Sequence, residues 1–177
     1  PQPEIPPRRS EVCREIFLQK TKDYGTSWRV YRTISIADQI YIKAKRIRNI
    51  QQTGMQKIKD DAAGEFRGIL NYAIIGLIQL EINDDEVEDL PVETATKLYD
   101  EKVAMAKNLM EEKNHDYGEA WRDMSQESFV DLILAKILRI KQIVRNEGKT
   151  LISEGIDANY FDIINYAIIA LILTKHK

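Results

Sequence analysis

The 177-residue chain sets 26 Lys and Arg against 28 Asp and Glu, a net charge of −2. That balance excludes a bulk field able to draw in nucleic acid or a membrane surface, so any anion site must be local. One cysteine, Cys13, excludes an internal disulfide and fits a reducing, cytoplasmic setting, where it reads as a small, partly buried side chain. The apolar runs at 69–80 and 163–173 are interrupted by polar residues. Both fall short of the roughly 20 residues of a bilayer span, and no signal-peptide pattern opens the sequence.

Residues 1–9, Pro1-Gln2-Pro3-Glu4-Ile5-Pro6-Pro7-Arg8-Arg9, read as an extended proline-rich arm. A first helix is expected from Ser10 to Lys22, stopped at Asp23-Tyr24-Gly25, where glycine can turn left-handed. A second begins at Ser35, with Asp38 three residues on in near-capping-box spacing, and ends at Gly54. A third runs from Asp60 to Ile82. The acidic stretch 83–91 is a linker, its Pro91 suited to the first turn of the next helix. The same three helices are then expected again, at 92–114, from Ser128 to Gly148, and from Glu154 to Lys175. No segment alternates with the period of a strand.

The second set is a copy of the first. Asp23-Tyr24-Gly25-x-x-Trp28-Arg29 returns as Asp116-Tyr117-Gly118-x-x-Trp121-Arg122, an offset of 116 − 23 = 93. Ser35-x-x-Asp38 and Lys43-x-x-Arg46-Ile47 return at Ser128-x-x-Asp131 and Lys136-x-x-Arg139-Ile140 with the same offset. After one inserted residue, Asn71-Tyr72-Ala73-Ile74-Ile75 returns as Asn165-Tyr166-Ala167-Ile168-Ile169. So long a period is a duplicated domain, with repeats at 10–82 and 92–177. Either repeat alone would be marginal, burying only about 60% of its unfolded surface. The expected fold is therefore all-α, two tandem three-helix repeats packed as a pseudo-twofold helical bundle around one core. Such a bundle could pair again as a homodimer.

On a helical wheel, Ile36, Ile40, Ala44, Ile47 and Ile50 form the apolar stripe of the second helix. Lys43 lies inside that stripe and Arg46 at its edge, and Lys136 and Arg139 repeat the pattern beside Phe129, Ile133, Ile137, Ile140 and Ile143. A lysine on an apolar stripe is costly unless it snorkels or meets an anion. The anion could be an internal carboxylate or a ligand phosphate. On the last helix Glu154, Asp162 and Asn165 share one face with Asp157 beside it, a grouping that suits magnesium or acidic partners of the helix dipole. In the first repeat Asp60, Gly64 and Gly68 stand at the positions of Glu154, Ala158 and Asp162, while Asp61 and Glu65 are rotated off that face. Glycines four apart in a helix cost about 1 kcal/mol each, so they admit either a close neighbour or a ligand. The fuller acidic group makes the second repeat the expected site.

The Asp-Tyr-Gly-x-x-Trp loop gives each repeat a rigid Tyr and Trp. They either lock the turn onto the core or stack on a base, with Arg29 or Arg122 and Lys20 or Lys113 near its phosphates. His115 is matched by Lys22 and is a poor catalytic candidate. There is no phosphate-cradling glycine loop, zinc spacing or nucleophile motif.

In the order Lys-x-x-Asp-Tyr-Gly-x-x-Trp, Lys-x-x-Arg and Asp-x-x-Asn-Tyr-Ala, the chain resembles the nucleotide modification associated domain 1 family over 20–82 and again over 113–174. That family was first catalogued as a domain of unknown function, in phages and bacteria. The resemblance implies a link to nucleotide or modified-base metabolism and acidic residues at 154, 158 and 162, of which position 158 is Ala here. A looser similarity is to all-helical nucleoside triphosphate pyrophosphohydrolases, whose Glu-Glu-x-x-Glu motif has no counterpart on the second helix.

The resulting expectation is a protein that binds or processes a nucleotide or nucleotide-like small molecule. Asp116, Tyr117, Trp121, Arg122, Lys136, Arg139 and Asn165, with Asp23, Tyr24, Trp28, Lys43, Arg46 and Asn71 of the first repeat, would contact it. Glu154, Asp157 and Asp162 would hold magnesium. If a bond is broken, attack of a metal-activated water on a phosphoanhydride is the economical route. The alternative is a non-catalytic scaffold whose stripe lysines pair with internal acids.

Overall fold

The structure, a computed structural model, describes residues 7–54, 62–82, 89–148 and 155–174. Among them are six α-helices and no strand. They are α1 (Pro7–Tyr24), α2 (Thr33–Thr53), α3 (Ala62–Ile82), α4 (Val92–Tyr117), α5 (Gln126–Arg145) and α6 (Ile156–Thr174). The fold is all-α. A 3-10 turn, Ser27–Val30 or Ala120–Asp123, links the first helix of each repeat to its second. The expectations for residues 1–6 of the arm, for 83–88 of the linker and for Asp60, Asp61, Glu154 and Lys175 lie outside the described residues.

Within the repeats α2 packs on α3 and α5 on α6; between them α3 faces α6 and α2 faces α5. Helices α1 and α4 flank these four and touch each other. The stripes read from the sequence form the centre: Ile36, Ile40 and Ile47 are buried in one cluster with Ile133, Ile137 and Ile140. Burying each such side chain contributes about 1.5–3 kcal/mol. Two ion pairs cross between α2 and α5 reciprocally. Lys141 Nζ meets Asp38 at 2.7 Å, and Arg48 meets Asp131 at 3.7 Å. Since 48 + 93 = 141 and 38 + 93 = 131, the pairs exchange partners between repeats, which fits a pseudo-twofold arrangement.

Those pairs also correct the capping assignment. Helix α2 starts at Thr33 after Arg32, α5 starts at Gln126 after Ser125, and neither N-cap side chain closes a capping bond. The 3-10 turn delivers the chain early enough for Ser35 and Ile36 N–H to bond Arg32 O at 3.0 and 3.1 Å. Asp38 and Asp131 are thereby left to join the repeats. At the other end, Gly54 takes φ 66° and donates to Ile50 O at 2.8 Å.

Helix α1 includes Pro7–Arg9, which the sequence assigns to an extended arm. Proline fits a first turn, where its missing N–H has no intrahelical partner to lose. Helix α6 is longer than the apolar run that announced it. At 19 residues, with a mean hydropathy of 1.5 over its best window, it could span a bilayer by length and composition, and 61% of that window is buried in the bundle.

The α3–α6 contact depends on one small residue. A Cβ on Gly76 would stand 2.5–2.9 Å from the ring of Tyr160, which is fully buried. Gly76→Ala is expected to cost about 1–3 kcal/mol by overpacking a ring that has nowhere to go. A denaturant midpoint equal to that of the parent protein would contradict this.

Candidate functional site

Each repeat closes its first helix with a glycine at φ 66°. Gly25 N–H bonds Thr21 O and Gly118 N–H bonds Asn114 O, both at 2.8 Å. After the glycine the chain turns so that the tryptophan drops inward. Trp28 is 7% exposed and Trp121 8%, whereas Tyr24 and Tyr117 stand out at 73% and 77%. Trp28 rests against Phe17, which stacks on Tyr99 of α4 at 4.4 Å. The tryptophans thus lock the turns onto the core, and the tyrosines are left for solvent or a ligand. Both indole N–H groups are buried without a partner among the described residues, a feature of the shared turn.

The first loop is further held by the linker. Asp89 accepts hydrogen bonds from Thr26 N–H at 2.7 Å and Thr26 Oγ1 at 2.9 Å, and these keep its carboxyl below the usual range. Its carboxylate would crowd any Cβ at Gly25, at 2.7 Å, so that glycine is required twice over. Arg29 turns inward to Gln79, whose amide donates to the carbonyls of Trp28, Arg29 and Tyr31 at 3.2, 2.9 and 3.0 Å. It is 7% exposed and therefore not poised for a phosphate as the sequence suggested. Arg122 lies over Trp121, 4.5 Å from the ring centroid, and pairs with Glu119.

Between α1, the first loop, α2 and α3 lies a cleft of about 390 Å³. Lys20, Lys43 and Arg67 line it against one carboxylate, Glu65. Its apolar walls include Phe17, Tyr24, Trp28, Tyr31 and Tyr72, and Gly64 and Gly68 form part of its floor. The α3 glycines thus open a recess. Lys43 crosses it, its Cε 2.9 Å from where a Cβ on Gly68 would stand. Its ammonium lies 3.6 Å from Glu65 and 6.0 Å from the Tyr72 ring centroid. Burial and the neighbouring Tyr31 raise the Tyr72 pKa. Lys20 and Arg67 form no ion pair among the described residues.

The equivalent place in the second repeat holds only about 110 Å³, between Leu109, Met110 and Lys113 of α4 and Ala158, Phe161 and Asp162 of α6. Asp162 fills it. One carboxylate oxygen accepts from Lys113 at 2.6 Å and the other faces Lys136 at 2.9 Å. Burial pushes this carboxyl upward, but the hydrogen bonds and charges of the two lysines outweigh it and hold the group below its ordinary range. The stripe lysines therefore do meet internal acids, but non-equivalent ones. Glu65 aligns with Asn159 (65 + 94), whereas Asp162 aligns with Gly68 (68 + 94).

Of the residues expected at the site, Tyr24, Trp28, Lys43 and Asn71 come together in the first cleft. Asn71 is also structural: its amide donates to Cys13 O at 3.1 Å and its oxygen accepts from Tyr99 at 2.7 Å. Asn165 keeps its place in the second cleft, with its Oδ1 buried and without a partner among the described residues. Arg46 pairs with Glu65, which the wheel had turned away; the long Glu side chain reaches round the helix to both cations. Asp23, Asp116, Tyr117, Arg122 and Arg139 are exposed and line neither cleft. Asp157 is exposed, and no three His, Cys, Asp or Glu among the described residues gather as a metal set. With both Asp162 oxygens on ammonium groups, the acids described do not fit a magnesium cage. Arg67 and Glu65 are the site residues the sequence reading missed. Arg67 aligns with Phe161 (67 + 94), one of several differences between the first turns of α3 and α6, so nothing in the repeat comparison singled it out.

A family model described as nucleotide modification associated domain 1 matches residues 20–80 and again 113–173. No curated protein and no solved structure matches the chain. Each match runs from the lysine before the Asp-Tyr-Gly loop, near the end of the repeat's first helix, almost to the end of its third helix. The chain belongs to the nucleotide modification associated domain 1 family and carries that domain twice.

Proposed function

We propose that the first repeat binds a nucleotide in its cleft and that the second repeat serves as its structural counterpart. The observation that carries this reading is the cleft's composition: three cations against one carboxylate, beside aromatic walls, over a glycine floor. Its volume lies within the range of small-molecule sites. Lys20, Lys43 and Arg67 would engage phosphate oxygens, Arg67 in bidentate fashion. Tyr24 and Tyr72 present ring surface for a base. In the second repeat the closed Lys113–Asp162–Lys136 bridge favours a scaffolding role. Magnesium enters only as a companion of the phosphate, since Asp162 is engaged, and no bond-breaking step is assigned.

Thermal-shift measurements with nucleoside mono-, di- and triphosphates, each with and without magnesium, test this. A ligand that binds only the folded state raises the melting temperature by mass action, by about 2.7 kcal/mol of stability at a hundredfold excess over Kd. A concentration-dependent rise is expected for at least one nucleotide and none for the matching nucleoside. A flat response to every phosphate state would refute nucleotide binding.

A further inference from the structure

We propose that Asp162 is a built-in anion closing the second cleft, and that its carboxylate marks where the ligand's phosphate sits in the first. That place is above Gly68, between Lys20 and Lys43. The inference rests on the reading of the first cleft as a phosphate-ligand site.

The repeat itself supplies the superposition. Lys113 matches Lys20 and Lys136 matches Lys43, each by 93 residues, while Asp162 matches Gly68 by 94. In the second repeat two ammonium groups converge on one carboxylate, one to each oxygen. Two oxygens of a phosphate would present the same pair of acceptors. In the first repeat both lysines are retained and line the cleft, while the residue bearing the anion is reduced to glycine.

The counter-charge has moved, not vanished. Glu65, three residues before Gly68, meets Lys43 at a looser 3.6 Å and also binds Arg46. Lys43 therefore stays compensated, and where the second repeat has a carboxylate side chain only the flexible Lys43 side chain lies over Gly68. At Glu65's equivalent position Asn159 is uncharged and donates to Gly155 O at 2.8 Å. Arg67, where the second repeat has Phe161, adds a third cation that a carboxylate would not need and a phosphate would use.

The test exchanges the two residues and reads binding by calorimetry, with inorganic pyrophosphate and a nucleoside triphosphate as probes. The parent protein is expected to bind one pyrophosphate per chain. Gly68→Asp should weaken both probes by about tenfold or more, since a carboxylate would occupy the phosphate position. The substitution needs only the far end of the flexible Lys43 side chain to shift. Conversely, Asp162→Gly should bind a second, weaker pyrophosphate and gain a larger pyrophosphate-induced rise in melting temperature than the parent. Unchanged affinity in a folded Gly68→Asp protein overturns the inference while leaving nucleotide binding intact. Pyrophosphate binding lost in Gly68→Asp, with no gain from adding a nucleoside, keeps the anion site and defeats the nucleotide reading. Failure of the parent to bind either probe overturns both. Should Asp162→Gly not fold, the Gly68→Asp result decides.

Discussion

Replacing Asp162 by Asn is expected to lower the unfolding free energy at pH 7 by about 3 kcal/mol, the lower end of what breaking a buried ion pair costs. Asp162 is 10% exposed at its side chain and Lys136 16%, so the change leaves an ammonium group poorly solvated with no counter-charge. Lys113, at 49%, can turn to water, which keeps the loss at the lower end. The effect carries a pH signature. The folded-state pKa of Asp162 is depressed relative to 3.8, so its contribution is fully present above the unfolded value. It is lost as pH falls through the folded value, where the parent protein also carries a neutral side chain. Guanidinium unfolding curves should therefore show parent and variant far apart at neutral pH and converging in acid. A gap that persists unchanged into strong acid would mean that Asp162 stabilises by packing and not by charge.

The second large effect concerns the ligand. Arg67→Ala is expected to reduce nucleotide affinity by about 10- to 100-fold, the loss of a charge-assisted contact of about 1.5–3 kcal/mol. Stability without ligand should change by no more than about 0.5 kcal/mol, because Arg67 is partly exposed and forms no ion pair among the described residues. Phe161→Ala, at the equivalent position, is the matched control. It removes partly buried apolar surface beside the closed cleft and should lower stability while leaving affinity alone. If both variants bind as the parent does, the phosphate lies elsewhere. If Arg67→Ala melts well below the parent, its role is structural and the affinity data must be read against that.

Much of the architecture was legible because it is written in short-range periodicity and in self-similarity. The stripes on α2 and α5 gave most of their buried faces, with Ile50 left partly exposed and Ala37, Val130 and Leu134 buried besides, and the loop glycines gave the turns between helices. What failed locally failed for tertiary reasons. Asp38 and Asp131 have the spacing of a cap, yet each bonds across to the other repeat. Asp89 sat in a stretch read only as acidic linker, yet it ties the first loop down through Thr26. Nothing in local pattern announces a partner 63 residues away.

The site shows the same division. By itself the sequence determined that the chain is a duplicated all-α domain, and that a lysine on each apolar stripe must find an anion. It also showed that glycine replaces Asp162's counterpart in the first repeat. Which anion each lysine finds was decided only by the tertiary structure. A helical wheel fixes the direction of a Cβ about its own axis, but not the reach of a long side chain or the angle of the neighbouring helix. Glu65 reaches round α3 to Lys43 and Arg46, whereas Asp162 stands directly between Lys113 and Lys136. The acids that drew attention to the second repeat are, once packed, what closes it. The missing one leaves the first repeat open.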